Sequence, residues 1–194
     1  PENEFVQPMK RFTAVLAAMV LLAAVATPIQ AQAPLRVGIV GCDTSHVVAF
    51  SKLMNDPAAT GLLAKVEIVC AYPGGSSDIP SSHDRVEGFT KELRDAGVEI
   101  VDSARAVAEK SDAILLESVD GRTHLEQFRQ VAVGKPVFID KPAAASLADV
   151  MAIFKLARET KTPVFSSSAL RFSDKVVALK NNAALGEING CSVA

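Results

Sequence analysis

From Leu35 to Ser166 the chain alternates short apolar runs with longer amphipathic stretches, and this alternation constrains the fold more than any other feature. Leu35–Val40, Val66–Ala71, Val98–Val101, Ala113–Leu116, Val137–Ile139 and Pro163–Ser166 read as buried strands. Between them, Ser45 or His46 to Asn55, Asp84–Ala96, Ala104–Lys110 and Thr123–Val133 read as helices. A further helix follows Ser146, which caps it, with Asp149 three residues on as a weak capping box. The apolar side of the first helix is Val47, Val48, Phe50, Leu53 and Met54; the stripe of the last is Leu147, Val150, Met151, Phe154 and Ala157. Gly97 stops the second helix. "YPGGSSDIPSS", from Tyr72 to Ser82, is a loop by composition. Strands apolar throughout must be covered on both faces, which implies a parallel sheet with right-handed crossovers: a doubly wound α/β domain. Ligands of such sheets lie beyond the carboxyl ends of the strands, so the chemistry belongs to loops 41–46, 71–82, 117–124 and 140–146.

The first of these loops lies in "RVGIVGCDTSHVVAF", a strand running into a tight turn and a helix. Gly41 supplies the turn, and the N–H groups of the following helix suit a phosphate. A dinucleotide fingerprint would place further glycines where Asp43 and His46 stand. Asp43 adds a side chain and a negative charge there, or caps the helix, as Thr44 or Ser45 would. Two readings follow: a modified phosphate loop, and a capped turn that holds no phosphate. After the second strand no acid occurs before Asp78 and no Arg before Arg85, so neither NAD nor NADP is favoured by that loop. Tyr72 is placed either to stack on adenine or simply at the surface.

Upstream of the alternation, Met9-Lys10-Arg11, the uncharged run Ala14–Ala26 and Ala31-Gln32-Ala33 have the layout of a secretory signal peptide over residues 9–33. Cleavage falls after Ala33 or after Ala31. Residues 1–8 precede the start at Met9 and lie outside the fold. The mature protein is therefore expected to be exported, periplasmic or secreted, with no stable membrane span once the signal is removed. In that oxidising setting Cys42 and Cys70 are either buried free thiols or a disulfide, and their spacing with Cys191 matches no zinc motif. A net charge of −2 and the absence of Trp argue against a nucleic-acid surface.

Four stretches, "VGIVGCDTSH", "ESVDGRTHLEQFRQVAVGKPVFIDKPAA", "TPVFSSSALRF" and "ALGEINGCSV", together resemble the Gfo/Idh/MocA oxidoreductases over roughly Leu35 to Ala194. The strongest element is Gly134 to Pro142. In that family an acid-Lys-Pro triplet ends the fifth strand; here it is Asp140-Lys141-Pro142, with Asp in place of the commoner Glu. The resemblance implies a Rossmann-like nucleotide-binding domain over residues 34–172. Residues 173–194 would begin an α+β sheet domain that is missing beyond Ala194, with Gly186-Glu187-Ile188 entering its first strand.

Its implied activity is hydride transfer between NAD or NADP and a sugar or polyol, with homo-oligomers forming through the missing sheet domain. Lys141 is the implied catalytic residue, facing nicotinamide and substrate. The implied cofactor-facing set is Gly41, Asp43, Thr44, Ser45 and His46 from the first loop, and Tyr72 from the second. Ser118 and His124 join it from the fourth strand's exit, and Asp140 and Arg171 from the fifth and sixth. His124 is read equally as a helix cap, and Lys141 as a solvated turn residue. Glu117 and Asp120 bind sugar hydroxyls or are solvated. The competing reading is an exported binding protein that retains the fold without redox chemistry.

Overall fold

Six parallel strands form one sheet in the order β3-β2-β1-β4-β5-β6 in the computed structural model, which describes residues 33–180, 182–187 and 189–190. The strands are β1 (Leu35–Val40), β2 (Val66–Tyr72), β3 (Glu99–Ile100), β4 (Ala113–Leu116), β5 (Val137–Asp140) and β6 (Val164–Ser167). The helices are α1 (Ser45–Met54), α2 (Pro80–Asp95), α3 (Ala104–Lys110), α4 (His124–Val131), α5 (Leu147–Glu159) and α6 (Asp174–Lys180). The strand order reverses between β1 and β4, so the doubly wound Rossmann-like architecture expected from the alternation is present.

The central strands β1, β2 and β4 feed two cores. Val37, Ile39, Ile68 and Ala71 pack with Val47 of α1 and Leu93 of α2 on one face. Val40, Cys70, Ile114, Leu116, Val137 and Ile139 pack with Val107 of α3, Phe128 of α4 and Ile153 of α5 on the other. This two-sided burial is why the strands lack an apolar–polar alternation. Gly38 lets α3 settle onto β1: a Cβ there would stand 2.4 Å from Val107 Cγ1. The two cysteines belong to opposite cores and are free thiols, so no bridge joins them. Burial pushes the Cys42 thiol up to about 12 and the Cys70 thiol up to about 11.

Two elements differ from the sequence reading. The second helix begins at Pro80, four residues before Asp84, because proline's fixed φ suits the first helical turn and its missing N–H is not needed there. Ser82 and His83 thereby leave the loop and join the helix. In α5 the expected stripe holds at Ala157, and at Val150 in part, but not elsewhere. Ile153 and Ala157 are the buried residues, whereas Leu147, Met151 and Phe154 are exposed. The helix is apolar on two sides, and periodicity alone did not distinguish them. The expected signal peptide, apart from Ala33, and the strand around Ile188 lie outside the described residues, as does Cys191. Among the described residues no helix is long and apolar enough to cross a membrane.

Candidate functional site

The carboxyl ends of β1, β4 and β5 converge at the reversal of strand order, and two different polar clusters stand there. The first begins with Gly41. Its φ of +92° suits glycine, and a Cβ would lie 2.2 Å from Ser118 Oγ and 2.5 Å from Ser118 N. Its N–H donates to Tyr72 O at 2.9 Å, and the Cys42 N–H donates to Pro73 O at 2.6 Å, extending the β1–β2 pairing past the strand end. Thr44 is the N-cap of α1: its extended backbone (φ −123°, ψ 150°) lets its hydroxyl accept the His46 N–H at 3.3 Å. Ser45, first in the helix, is exposed.

Asp43 neither caps the helix nor faces outward, which corrects its placement among the cofactor-facing residues. It is fully buried, and its carboxylate accepts from Ser82 Oγ at 2.6 Å and from the Val119 N–H at 3.0 Å. Ser82 Oγ in turn accepts the Ser76 N–H at 2.7 Å, and Ser76 Oγ donates to Asp120 at 2.6 Å. Arg122 forks Asp120 at 2.8 to 3.0 Å and reaches Asp78 at 2.9 and 3.0 Å. The Arg122 guanidinium holds the Asp120 carboxyl well below the usual carboxylate range. The loops after β1, β2 and β4 are thus knitted together through buried hydrogen bonds. Asp120 is a member of that tie and is neither solvated nor open to a sugar hydroxyl.

The second cluster stands at the exits of β4 and β5. His46 Nδ1–H donates to Asp140 Oδ2 at 2.9 Å, and the Lys141 ammonium donates to the same oxygen at 3.2 Å. Lys141 is 53% exposed, so its amine stands at the mouth of this cluster. Glu117 closes the cluster from below with no exposed surface, its Oε2 3.8 Å from His46 Nδ1. Neither of its carboxylate oxygens has a hydrogen-bond partner among the described residues. Burial, and then the charge of Asp140, push its carboxyl up to about 8 against the opposing pull of Lys141. At neutral pH Glu117 is held mainly as the neutral acid.

The remaining sequence-derived residues separate. Ser118 is buried against Gly41 and donates to Gln127 Oε1 at 2.9 Å. Tyr72 is half-buried and packs against the core on the α3–α4–α5 side. His124 opens α4 but is fully buried; its ring nitrogens face Ser118 O at 2.7 Å and Ala143 O at 3.1 Å. It joins the loops after β4 and β5 from behind, and neither caps its helix nor faces a ligand. Arg171 lies in an exposed 3-10 turn after β6, and its side chain has no hydrogen-bond or ion-pair partner among the described residues. Sequence reasoning passed over Ser76, Ser82 and Arg122, and it treated Glu117 as a surface acid. An acid placed directly after an apolar strand was the available signal for Glu117. Nothing in the loop's composition marked the two serines. A groove of about 450 Å³ runs between the β2 exit and α2, from Pro73 and Gly74, which border the Gly41 turn, to Val86 and Thr90.

No protein-family model matches the chain, and no curated protein does. Solved structures do share the fold. A dehydrogenase (MviM) from Clostridium difficile superposes with a TM-score of 0.59 at 21% identity, over 76% of this chain and 44% of that one. The WlbA dehydrogenase from Bordetella pertussis, solved with NADH and UDP-GlcNAcA, gives 0.59 at 19% identity, over 79% and 42%. Myo-inositol dehydrogenase from Lactobacillus casei, solved with NAD(H) and myo-inositol, gives 0.58 at 18%, also over 79% and 42%. The likeness covers less than half the length of each of these proteins, and at such identities it establishes the fold.

Proposed function

We propose that the chain is the dinucleotide-binding part of an exported Gfo/Idh/MocA-type oxidoreductase that transfers a hydride between NAD or NADP and a carbohydrate-like substrate. One observation carries this reading. Asp140, which ends β5, and Lys141 just beyond it form a hydrogen-bonded pair beside the reversal of strand order, with the amine half open to a ligand. The shared fold supports it, because neighbours of this architecture are dehydrogenases solved with NADH or NAD(H).

The residues present fit a dinucleotide at two points. The turn at Gly41 and the first N–H groups of α1 around Ser45 offer donors to a pyrophosphate. The inward turn of Asp43 removes its charge from that surface. The bound nicotinamide would accept or release the hydride. This chain's side chains would handle the proton and the orientation. Lys141 would donate to a substrate oxygen, and Asp140 would hold the amine and fix the His46 ring.

A specific observation favours a second reading, a binding protein with the fold and no redox activity. The Asp43 bridge to Val119 crosses between the β1 and β4 exits, where a dinucleotide would have to lie. NADH fluorescence separates the readings, since the chain has no Trp to interfere. Enhanced, blue-shifted emission on adding the protein supports the first; unchanged emission supports the second. In the full-length protein, Lys141→Ala should lower kcat on the order of 100-fold and leave NADH affinity within a few-fold. Equal loss of both would argue against a role in proton handling.

A further inference from the structure

We propose that His46, Glu117 and Asp140 form a binding site for a single divalent transition-metal cation of the zinc type. The three residues come from separate segments: the start of α1, the exit of β4 and the end of β5. Their ligand atoms nevertheless lie within 4.8 Å of one another, with Nδ1 of His46 2.9 Å from Asp140 Oδ2 and 3.8 Å from Glu117 Oε2. Ligands held about 2.0–2.2 Å from one zinc ion stand roughly 3–4 Å apart, so small side-chain adjustments would bring these atoms onto a common centre.

The second observation is Glu117. It has no exposed surface, and both carboxylate oxygens lack any hydrogen-bond partner among the described residues. A buried acid is normally satisfied by donors, as Asp43 is a few residues away in space. What Glu117 faces instead is a ring nitrogen and a second carboxylate. A cation among the three would supply the compensation that the protein leaves out. Imidazole with two carboxylates suits zinc, manganese, cobalt or iron(II) better than calcium or magnesium, which prefer all-oxygen sites. Three protein ligands leave a position for water or a ligand oxygen, the pattern of reactive metal sites and not of closed structural ones. Lys141 stands at that open side, its amine 3.2 Å from Asp140 Oδ2, so it remains placed to meet a ligand oxygen at the open position. This site does not depend on dinucleotide binding.

The test is metal binding by the full chain after dialysis against a chelator. Zinc titrated calorimetrically should bind at one ion per chain with micromolar or tighter affinity. Glu117→Gln and Asp140→Asn should each weaken it tenfold or more, as should His46→Ala, while the exposed His83→Ala should leave it unchanged. Absence of stoichiometric binding to the unmutated protein would overturn the proposal, as would a Glu117→Gln variant that binds zinc as tightly. If that variant does not fold, the cobalt-loaded unmutated protein decides. Visible d–d bands without a thiolate charge-transfer band support the nitrogen–oxygen site. A thiolate band would assign the metal to a cysteine, and no band would mean no site; either result overturns it.

Discussion

Asp43 and Glu117 are both carboxylates without exposed surface, and both stand at the carboxyl edge of the same sheet. Asp43 accepts two short hydrogen bonds and belongs to a chain of donors running through Ser82, Ser76, Asp120 and Arg122. Glu117 accepts none. A buried acid with every oxygen satisfied holds a structure together, whereas one left without donors raises the cost of its own ionisation. The β1–β2–β4 exits are therefore built as a closed tie, and the β4–β5 exit retains unspent polar capacity next to a half-exposed Lys. In the first region the fold is secured; in the second, chemistry has room.

The largest expected effect strikes where the two regions meet. Gly41→Ala would place a methyl 2.2 Å from Ser118 Oγ and within 2.7 Å of Ser118 backbone atoms, at a φ of +92°. A loss of about 4 kcal/mol or more is expected, a large share of the roughly 5–15 kcal/mol that hold an ordinary domain folded. A variant melting within a few degrees of the parent would show that the turn is loose and that the two regions are not rigidly joined. Next comes pH. The ordinary carboxyl value is 4.5, and Glu117 in the folded protein is raised to about 8. Between those values the folded chain keeps a proton that the unfolded chain has lost. Stability should therefore fall as pH rises through that window, by up to about 1.4 kcal/mol per pH unit and on the order of 4 kcal/mol in all. Urea melts of chelator-treated protein from pH 5.5 to 8.5 should show this slope, and Glu117→Gln should flatten it. Parallel slopes for the two proteins would mean that Glu117 is satisfied after all and would erase the contrast with Asp43.

The contrast was only partly legible in the sequence. Apolar runs such as Ala113–Leu116 fixed their strand to the residue, because burial on both faces leaves no other reading of four consecutive apolar residues between polar turns. Ala104–Lys110 was equally plain, and the structure adds Ser103 as its cap. Asp140-Lys141 could be placed at a ligand-facing strand end because position along a parallel strand decides that. The partners of the buried acids were a different matter. Ser82 lies 39 residues from Asp43, and Val119 lies 76 away. No local pattern encodes such pairs. Asp43 therefore looked like a misplaced charge in a phosphate loop until its donors were seen, and His124 looked like a helix start facing a ligand until two carbonyls claimed its ring. Long-range side-chain pairing was what the chain did not reveal.

The tie itself gives the next prediction. Asp43→Ala would leave the Val119 N–H and the Ser82 hydroxyl buried without their acceptor, and should cost about 2–4 kcal/mol by urea denaturation. Asp43→Asn keeps an acceptor and the volume, so about half that loss is expected. If both variants melt like the parent, water satisfies the donors and the tie is not what secures the loops.

The smallest effect tests where the tie ends. Thr44 follows Asp43 in sequence but serves α1, its hydroxyl accepting the His46 N–H. Thr44→Ala should cost about 1 kcal/mol, the usual loss for an N-cap, and Ser146→Ala at the start of α5 should cost about the same. The Ser146 side chain bonds only Asp149 among the described residues, so it measures capping alone. Equal losses would mean that Asp43 is held by its own donors and that the helix carrying His46 is anchored separately. A Thr44→Ala loss approaching that of Asp43→Ala would mean that the cap is part of the tie. The position of His46 beside Asp140 and Glu117 would then be set by the same hydrogen bonds that close the β1–β4 gap, and the secured region and the reactive one would be a single unit.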